Sequence, residues 1–311
     1  YDALIGFGGC DKTLPALMMA MVRLNLPSVF LYGGAMLPGR DSAGRDASIL
    51  QVIEGVGRVQ TGELSEGDLA RLERSCTPTV GSCAGQFTAN TMAMVGEALG
   101  LSPLGSAMVP AVYSLRLALA RRMGEAVMTA LDRGGPLPRE LVTRKSLENA
   151  CAAVAATGGS TNAALHIPAI AHEAGVRFTM DDVSSVFERT PLIASLAPGG
   201  KYLARDLHHA GGVPAVLKCL LEGGLIHGDT LTLDGARLAD TLRQAPAPDG
   251  ELLRDCAQPF STHGGVQVLR GNLAPQGALL KTAGLKSLQF AGPARVFENE
   301  EDCMAAVSAR M

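Results

Sequence analysis

The stretch YDALIGFGGCDKTLPALMMAMVRLNLPSVFLYGG, residues 1–34, decides the fold. It begins with a short apolar run, Tyr1–Gly9, whose terminal glycines predict a buried strand followed by a tight turn. A helix is predicted next, because apolar residues recur between positions 14 and 21 at the spacing of one helical face. Pro27–Tyr32 is predicted as a second strand. A strand, a helix and a strand at this spacing favour a βαβ unit, and therefore a parallel sheet.

The composition agrees with a folded α/β protein. The chain has 311 residues, of which 47% are hydrophobic and 18% charged, the reverse of the balance in disordered chains. It has 37 glycines, only 4% aromatic residues and no Trp, which suits close packing of helices on a sheet better than an all-β sandwich. The base composition of the genome would explain the same numbers. The predicted class is α/β.

Two domains are expected. Residues 1–243 are predicted to form a parallel-sheet α/β/α domain, and residues 250–311 the beginning of a β-rich, barrel-like C-terminal domain. The boundary follows from a linker-like sequence with two prolines and a glycine, QAPAPDG. Beyond it, short strands are predicted at 265–272, 278–282 and 294–297. Helices are predicted near 48–56, 66–75, 88–99, 113–132 and 145–156, and after Asn162.

Charge and apolar pattern exclude two classes of protein. Lys and Arg number 27, Asp and Glu 30, and the net charge of −3 argues against a dedicated nucleic-acid binder. No apolar run approaches the roughly 20 residues of a membrane span.

The seven cysteines, an odd number without a signal peptide, indicate a reducing cytoplasm. Because Tyr1 falls in a predicted strand and Met311 in a predicted helix, we expect a part of a longer protein.

Three glycine-rich turns precede predicted helices, at Gly6–Lys12, Gly81–Gly85 and Gly158–Asn162. In α/β proteins such turns bring ligands to the carboxyl edge of a parallel sheet. Glycine lets the backbone approach a ligand closely, and the helix start favours anions, including thiolates. In the third turn, Ser160 or Thr161 is the expected N-cap.

Two of the turns carry a cysteine between small residues. Cys10 and Cys83 are therefore candidate ligands of a metal or iron–sulfur centre assembled from distant parts of the sequence. The alternative is two buried structural thiols, because the chain has no Cys-x-x-Cys motif. Cys76 is either a third ligand or a bystander. The other cysteines are interpreted as packing residues: Cys151, Cys219, Cys256 and Cys303.

Asp11 and Lys12 follow Cys10 directly. The carboxylate is a candidate ligand of a hard cation such as Mg²⁺, whereas an ammonium repels cations. Lys12 fits such a site as an anion partner, a base of low pKa or a carbamate. A capping Asp beside a solvated Lys is the alternative. The six histidines show no metal-binding spacing, and His166 and His172 are interpreted as core or surface residues.

Taken together, the motifs resemble the dihydroxy-acid dehydratase / phosphogluconate dehydratase family, most closely dihydroxy-acid dehydratases. The similar segments lie in the same order across nearly the whole chain: GCDKTLP at 9–15, GSCAG at 81–85, TANTM at 88–92, GGSTN at 158–162, DLHHAGGVP at 206–214, LIHGDTLT at 225–232 and LRGNLAP at 269–275.

The resemblance implies an iron–sulfur cluster, [2Fe-2S] or [4Fe-4S], held by three cysteines, two of which match Cys10 and Cys83. It also implies Mg²⁺ bound by Asp11 and by Lys12 as a carbamate. The family's third cysteine and another Asp lie upstream of this chain. A Glu ligand and the Ser that acts as base lie downstream. We therefore expect an incomplete active site and cannot name a catalytic base in this chain.

The implied reaction removes water from a 2,3-dihydroxy acid. In the implied reaction, iron acts as a Lewis acid on the C3 hydroxyl, and Mg²⁺ binds the carboxylate and the C2 oxygen. A base takes the C2 proton, and the product is a 2-keto acid. A 2,3-dihydroxyisovalerate-type substrate of branched-chain amino-acid biosynthesis is expected. The alternatives are a sugar acid (an aldonate or 6-phosphogluconate) and an inactive binding fragment. The family also implies a homodimer or homotetramer in the cytoplasm.

Overall fold

A computed structural model describes residues 1–309. Within that range the elements follow the chain as β1 Leu4–Gly8, α1 Thr13–Leu24, β2 Ser28–Tyr32, β3 Gly39–Arg40, β4 Asp46–Ala47, α2 Ile49–Gln60, α3 Glu66–Ser75, α4 Thr88–Ala98, α5 Leu115–Arg133, α6 Pro138–Leu141, α7 Arg144–Ala156, α8 Ala163–Glu173, α9 Met180–Arg189, α10 Ala204–His209, α11 Gly212–Glu222, α12 Leu238–Leu242, β5 Val266–Leu269, β6 Ala278–Lys281 and α13 Glu300–Ser308.

The predicted βαβ unit is present. Strands β1 and β2 run parallel, in a register that places Gly8 opposite Tyr32, and α1 connects them. All five residues of β2 are buried, as expected for a strand covered on both faces. The carboxyl ends of both strands therefore meet at one edge, immediately before the first glycine turn.

Helices α4 and α7 form the centre of the larger unit, which comprises residues 1–38 and 77–284. Residues 89–98 of α4 are all buried, and Met92 and Met94 are fully so. A helix with no exposed face is typical of a protein core. Each buried methionine contributes about 1.5–3 kcal/mol. Helix α7 also packs on α8 and α9, and α1 packs on α8.

Residues beyond the linker join the same unit. Strands β5 and β6 pair antiparallel, and Val266 is fully buried in the main core. An added Cβ at Gly265 would lie 2.4 Å from the Cα of Gly158. The backbone after the linker therefore packs directly against the backbone of the third glycine turn.

The smaller unit comprises residues 39–76 and 285–311, of which 310 and 311 lie outside the described range. It contains the β3–β4 pair, α2, α3 and α13. Helix α2 begins with a capping box between Ser48 and Gln51, and α3 begins with Ser65 accepting from the Asp68 N–H at 3.0 Å.

Several predictions of local structure are confirmed, and two are wrong. The helix predicted at 66–75 matches α3, and β5 and β6 match two predicted strands. Residues 294–297 form no strand, because the segment pairs with no other strand among the described residues. Helix α8 has Asn162 at its N-cap, not Ser160 or Thr161. The helix predicted to include Met311 ends at Ser308, and position 311 lies outside the described residues.

The predicted barrel-like C-terminal domain and the α/β/α layers stay predictions. Among the described residues, no helix combines the length and the apolar character needed to cross a bilayer.

Candidate functional site

The first glycine turn presents the Cys10 side chain just before α1. The hydroxyl of Thr13 donates to the Cys10 carbonyl at 3.0 Å and accepts from the Cys10 N–H at 3.1 Å, which fixes the turn from both sides. The Cys10 thiol is exposed and lies 3.6 Å from a carboxylate oxygen of Asp11. A second carboxylate oxygen of Asp11 lies 3.4 Å from the Lys12 ammonium, whose side chain is 67% exposed.

The second glycine turn is bonded to the same sheet edge. The Ser82 N–H donates to the Gly34 carbonyl at 2.9 Å, and the Ser82 hydroxyl donates to the carbonyl of Gly9. Gly81 has a φ of +126°, and a Cβ there would lie 2.7 Å from the Met36 nitrogen, so only glycine fits. These bonds bring the turns that carry the two candidate cysteines together.

Cys83 is held through its backbone by a buried polar pair. The Asn90 side-chain amide donates to the carbonyls of Cys83 and Gly85, at 2.7 and 2.6 Å, and its oxygen accepts from the Tyr32 hydroxyl at 2.9 Å. Burial raises the pKa of the Tyr32 phenol, so it stays a hydrogen-bond donor.

The electrostatics of Cys83 differ from the prediction. Burial raises the pKa of its thiol, and the nearby charges of Cys10 and Asp11 raise it further. The expected lowering by a helix start is absent because α4 begins five positions later, at Thr88, whereas a helix terminus acts only over its first turn. A Cys83 thiolate in this place needs a cation beside it.

Hydroxyl groups join the third glycine turn to the start of α4, the helix that follows the second turn. The Thr88 Oγ1 lies 2.8 Å from the Ser160 Oγ and accepts from the Asn162 side-chain amide at 3.0 Å. The Ser160 N–H donates to Thr91 at 3.0 Å. The Ser160 hydroxyl also accepts from the Asn162 N–H at 3.2 Å, and α8 begins only at Ala163, so the N-cap is Asn162. All three glycine turns converge on one region.

Lys281 supports the third turn and was not among the predicted site residues. Its ammonium donates to the carbonyls of Gly158 and Gly159, at 2.5 and 3.2 Å. Burial lowers the pKa of Lys281 to about 8. The signal in the sequence was a lysine that ends the apolar strand β6.

His166 also lies at this region, although the sequence suggested only a core or surface residue. It is 7% exposed, and its Nε2 is buried with no hydrogen-bond partner within residues 1–309. Burial lowers the pKa of His166 most; the Lys12 charge lowers it as well, and the Asp11 charge opposes them. An unpaired buried nitrogen near Asp11 and Lys12 fits a polar ligand that would complete its bonding.

The side chains at this region offer only part of a ligand set for an iron–sulfur or magnesium centre. No group of three or more His, Cys, Asp or Glu side chains within the described chain is arranged to hold a metal ion. Two soft sulfurs and one hard carboxylate nevertheless converge, which is the ligand chemistry of both centres. The residues present therefore fit as a partial ligand set.

Two family models match the chain over nearly its whole length. The model described as dihydroxy-acid/6-phosphogluconate dehydratase N-terminal matches residues 1–241, and the corresponding C-terminal model matches residues 251–311. The chain belongs to this dehydratase family. The resemblance in the sequence motifs is thereby confirmed.

Curated relatives within the dehydratase family are close. The chain is 72% identical over 308 residues to Dihydroxy-acid dehydratase 2 of Bordetella bronchiseptica, covering 99% of the chain and 54% of the relative. It is 58% identical to Dihydroxy-acid dehydratase 3 of Bradyrhizobium diazoefficiens, covering 100% and 53%, and 52% identical to Dihydroxy-acid dehydratase of Parvibaculum lavamentivorans, covering 100% and 54%. The chain spans about half the length of these relatives.

Two further cysteines of this family member, Cys76 and Cys151, lie in packing environments. Cys151 is fully buried, and Cys76 is buried with its thiol 3.6 Å from the Glu73 carbonyl. The assignments of Cys10, Cys83, Asp11 and Lys12 as ligands stay predictions.

Proposed function

We propose that the whole protein is a hydro-lyase that converts a 2,3-dihydroxy acid into a 2-keto acid. The observation that carries the proposal is the junction of the first two glycine turns through Ser82 and Gly9, which gathers Cys10, Cys83 and Asp11. Membership of a dehydratase family supplies the reaction class.

Cys10 and Cys83 would supply two of the ligands of an iron–sulfur cluster, [2Fe-2S] or [4Fe-4S]. Asp11 and Lys12, the latter as a carbamate, would hold Mg²⁺. When bound, these centres supply Lewis acidity toward the departing hydroxyl and the substrate carboxylate. A carbamate would also remove the positive charge that makes a lysine unsuitable as a ligand.

The chain's own residues would orient and enclose the substrate. The Asn90–Tyr32 pair holds the Cys83 turn, and Lys281 holds the third turn, so both present rigid backbone. His166 offers Nε2 to a hydroxyl or carboxylate oxygen of the substrate; with a lowered pKa the ring is neutral near pH 7 and binds without adding charge. The base that removes the C2 proton is not assigned to a residue of this chain.

A branched dihydroxy acid of the 2,3-dihydroxyisovalerate type is the proposed substrate, because the close relatives carry the name dihydroxy-acid dehydratase. The product would enter branched-chain amino-acid biosynthesis. Sugar acids are the competing substrate class, since the family description includes 6-phosphogluconate.

The test is a keto-acid assay on full-length protein prepared without oxygen. We expect turnover of 2,3-dihydroxyisovalerate to exceed that of every member of an aldonate and phosphogluconate panel. A preference for a sugar acid would replace the proposed substrate, and no turnover of any acid would favour a binding module without activity.

Two cysteine variants test the ligand assignment separately from activity. Cys83→Ser should lose iron and visible absorption together, whereas Cys76→Ala should keep both, because the Cys76 thiol is already buried against the Glu73 carbonyl. Loss of iron in Cys76→Ala, or normal iron in Cys83→Ser, would show the assignment to be wrong.

A further inference from the structure

Two cysteines outside the proposed active site lie with their sulfurs in contact. The Sγ of Cys219, on α11, is 3.6 Å from the Sγ of Cys256, which lies 37 positions later and beyond the linker. Both are free thiols. A disulfide requires sulfurs about 2.05 Å apart, so a relative movement of about 1.5 Å would join them.

The surroundings hold the pair in place. The Cys219 thiol lies 3.5 Å from the Arg254 carbonyl, and the Cys256 thiol lies 3.5 Å from the Cys219 carbonyl. Gly223, which ends α11, has a φ of −76°, a value that any residue adopts. A Cβ at Gly223 would lie 3.0 Å from the Cys256 sulfur, so glycine at this position serves to make room for that side chain.

The two thiols differ in access and in acidity. Cys219 is 3% exposed, whereas Cys256 is half-buried and reachable from solvent. The hydrogen bond between them lowers the pKa of Cys256 and, together with burial, raises that of Cys219. Cys256 is therefore the sulfur that ionises first and meets an oxidant first.

We propose that Cys219 and Cys256 form a redox modification site that small peroxides convert into an intramolecular disulfide. The Cys256 thiolate attacks one peroxide oxygen; an S–O bond forms, the O–O bond breaks and hydroxide leaves. The proton that Cys256 released on ionising neutralises this hydroxide. The Cys219 sulfur then attacks the sulfenic sulfur; the S–S bond forms, the S–O bond breaks, and the Cys219 proton leaves with the hydroxyl group as water. Two thiols and one peroxide give one disulfide and two waters.

The disulfide would tie the segment after the linker to α11, a connection now made by packing and hydrogen bonds. Thiols would reverse it, because a disulfide is reopened by thiolate attack. The site is independent of the proposed reaction, since neither sulfur belongs to the three glycine turns.

The experiment treats full-length protein with hydrogen peroxide, blocks free thiols and maps peptides by mass spectrometry without reduction. We expect one dominant cross-linked peptide pair that contains Cys219 and Cys256 and disappears with dithiothreitol. In Cys219→Ser, a sulfenic-acid probe should label Cys256 at least tenfold more than it does in the wild-type protein. These readouts do not depend on metal content or turnover.

Two control variants sharpen the result. Cys303→Ser removes another half-buried thiol and should leave the cross-link unchanged. Gly223→Ala displaces the Cys256 sulfur and should slow cross-linking severalfold while circular dichroism stays normal. The proposal is overturned if Cys256 pairs with another cysteine, or if both thiols remain free at peroxide doses that oxidise the half-buried Cys303.

Discussion

The side-chain amide of Asn90 lies 2.7 Å from the carbonyl oxygen of Cys83. The same amide donates to Gly85 at 2.6 Å, and the Asn90 oxygen accepts from Tyr32. Asn90 is fully buried, so one polar side chain on the first turn of α4 determines where the Cys83 turn lies.

Replacing Asn90 with alanine should destabilise the full-length protein by about 2–4 kcal/mol, because two backbone carbonyls and the Tyr32 hydroxyl lose their partner. Urea unfolding measures the change. Asn272→Ala, at an exposed position, is the matched control and should change the free energy of unfolding by less than about 0.5 kcal/mol. Equal stability of the two variants would contradict the structural role.

His166→Leu should separate stability from activity. Removing an unpaired buried nitrogen should leave the free energy of unfolding unchanged or slightly higher. Activity of the full-length enzyme should fall about 10- to 100-fold, as expected when a ligand loses one hydrogen bond to the protein. His172→Leu changes an exposed histidine of the same helix and should affect neither quantity. Full activity of His166→Leu would remove this residue from the site.

Lys281 predicts a pH dependence with a definite sign. Its pKa falls from 10.5 to about 8 on folding, so between these values the unfolded chain binds a proton that the folded chain does not. The stability contributed by Lys281 therefore rises with pH across this window, by at most about 3 kcal/mol. Relative to Lys281→Met, wild-type stability should increase from pH 8 to pH 10. Lys286→Met, at an exposed position, should show no such trend.

Lys12→Arg should abolish turnover of the full-length protein. Arginine cannot form a carbamate and would place a permanent charge where Mg²⁺ is proposed. Because the Lys12 side chain is 67% exposed, the free energy of unfolding should change by less than about 0.5 kcal/mol. Turnover within twofold of wild type would remove Lys12 from the proposed magnesium ligands.

The spacing of apolar residues and the positions of glycine-rich turns predicted much of the fold. The βαβ unit was predicted from apolar spacing and glycine turns, and α3 as an acidic helix, since local pattern decides elements of this kind. The strand predicted at 294–297 failed because a strand needs a neighbour, which local sequence cannot supply. The predicted Ser160 or Thr161 cap failed because α8 begins only at Ala163, although the Ser160 hydroxyl does accept from the Asn162 N–H at 3.2 Å.

Only the site residues that lie in recognisable sequence motifs were predicted. Cys10 and Cys83 stand in glycine turns and were predicted on that basis. His166 and Lys281 were not, because their roles come from long-range packing: His166 lies on a buried helix face, and Lys281 bonds to Gly158, which is 123 positions away. Oligomeric state, cytoplasmic location and the metal centres stay predictions.

The close approach of Gly265 to Gly158 has a practical consequence for engineering. The two family models meet between residues 241 and 251, yet residues 251–284 fold with the preceding helices. A truncation at 250 would remove Val266 from the hydrophobic core and Lys281 from the glycine loop. Chimeric dehydratases should therefore exchange sequence after residue 284. A crossover between residues 241 and 251 would combine two parts of one hydrophobic core that come from different proteins.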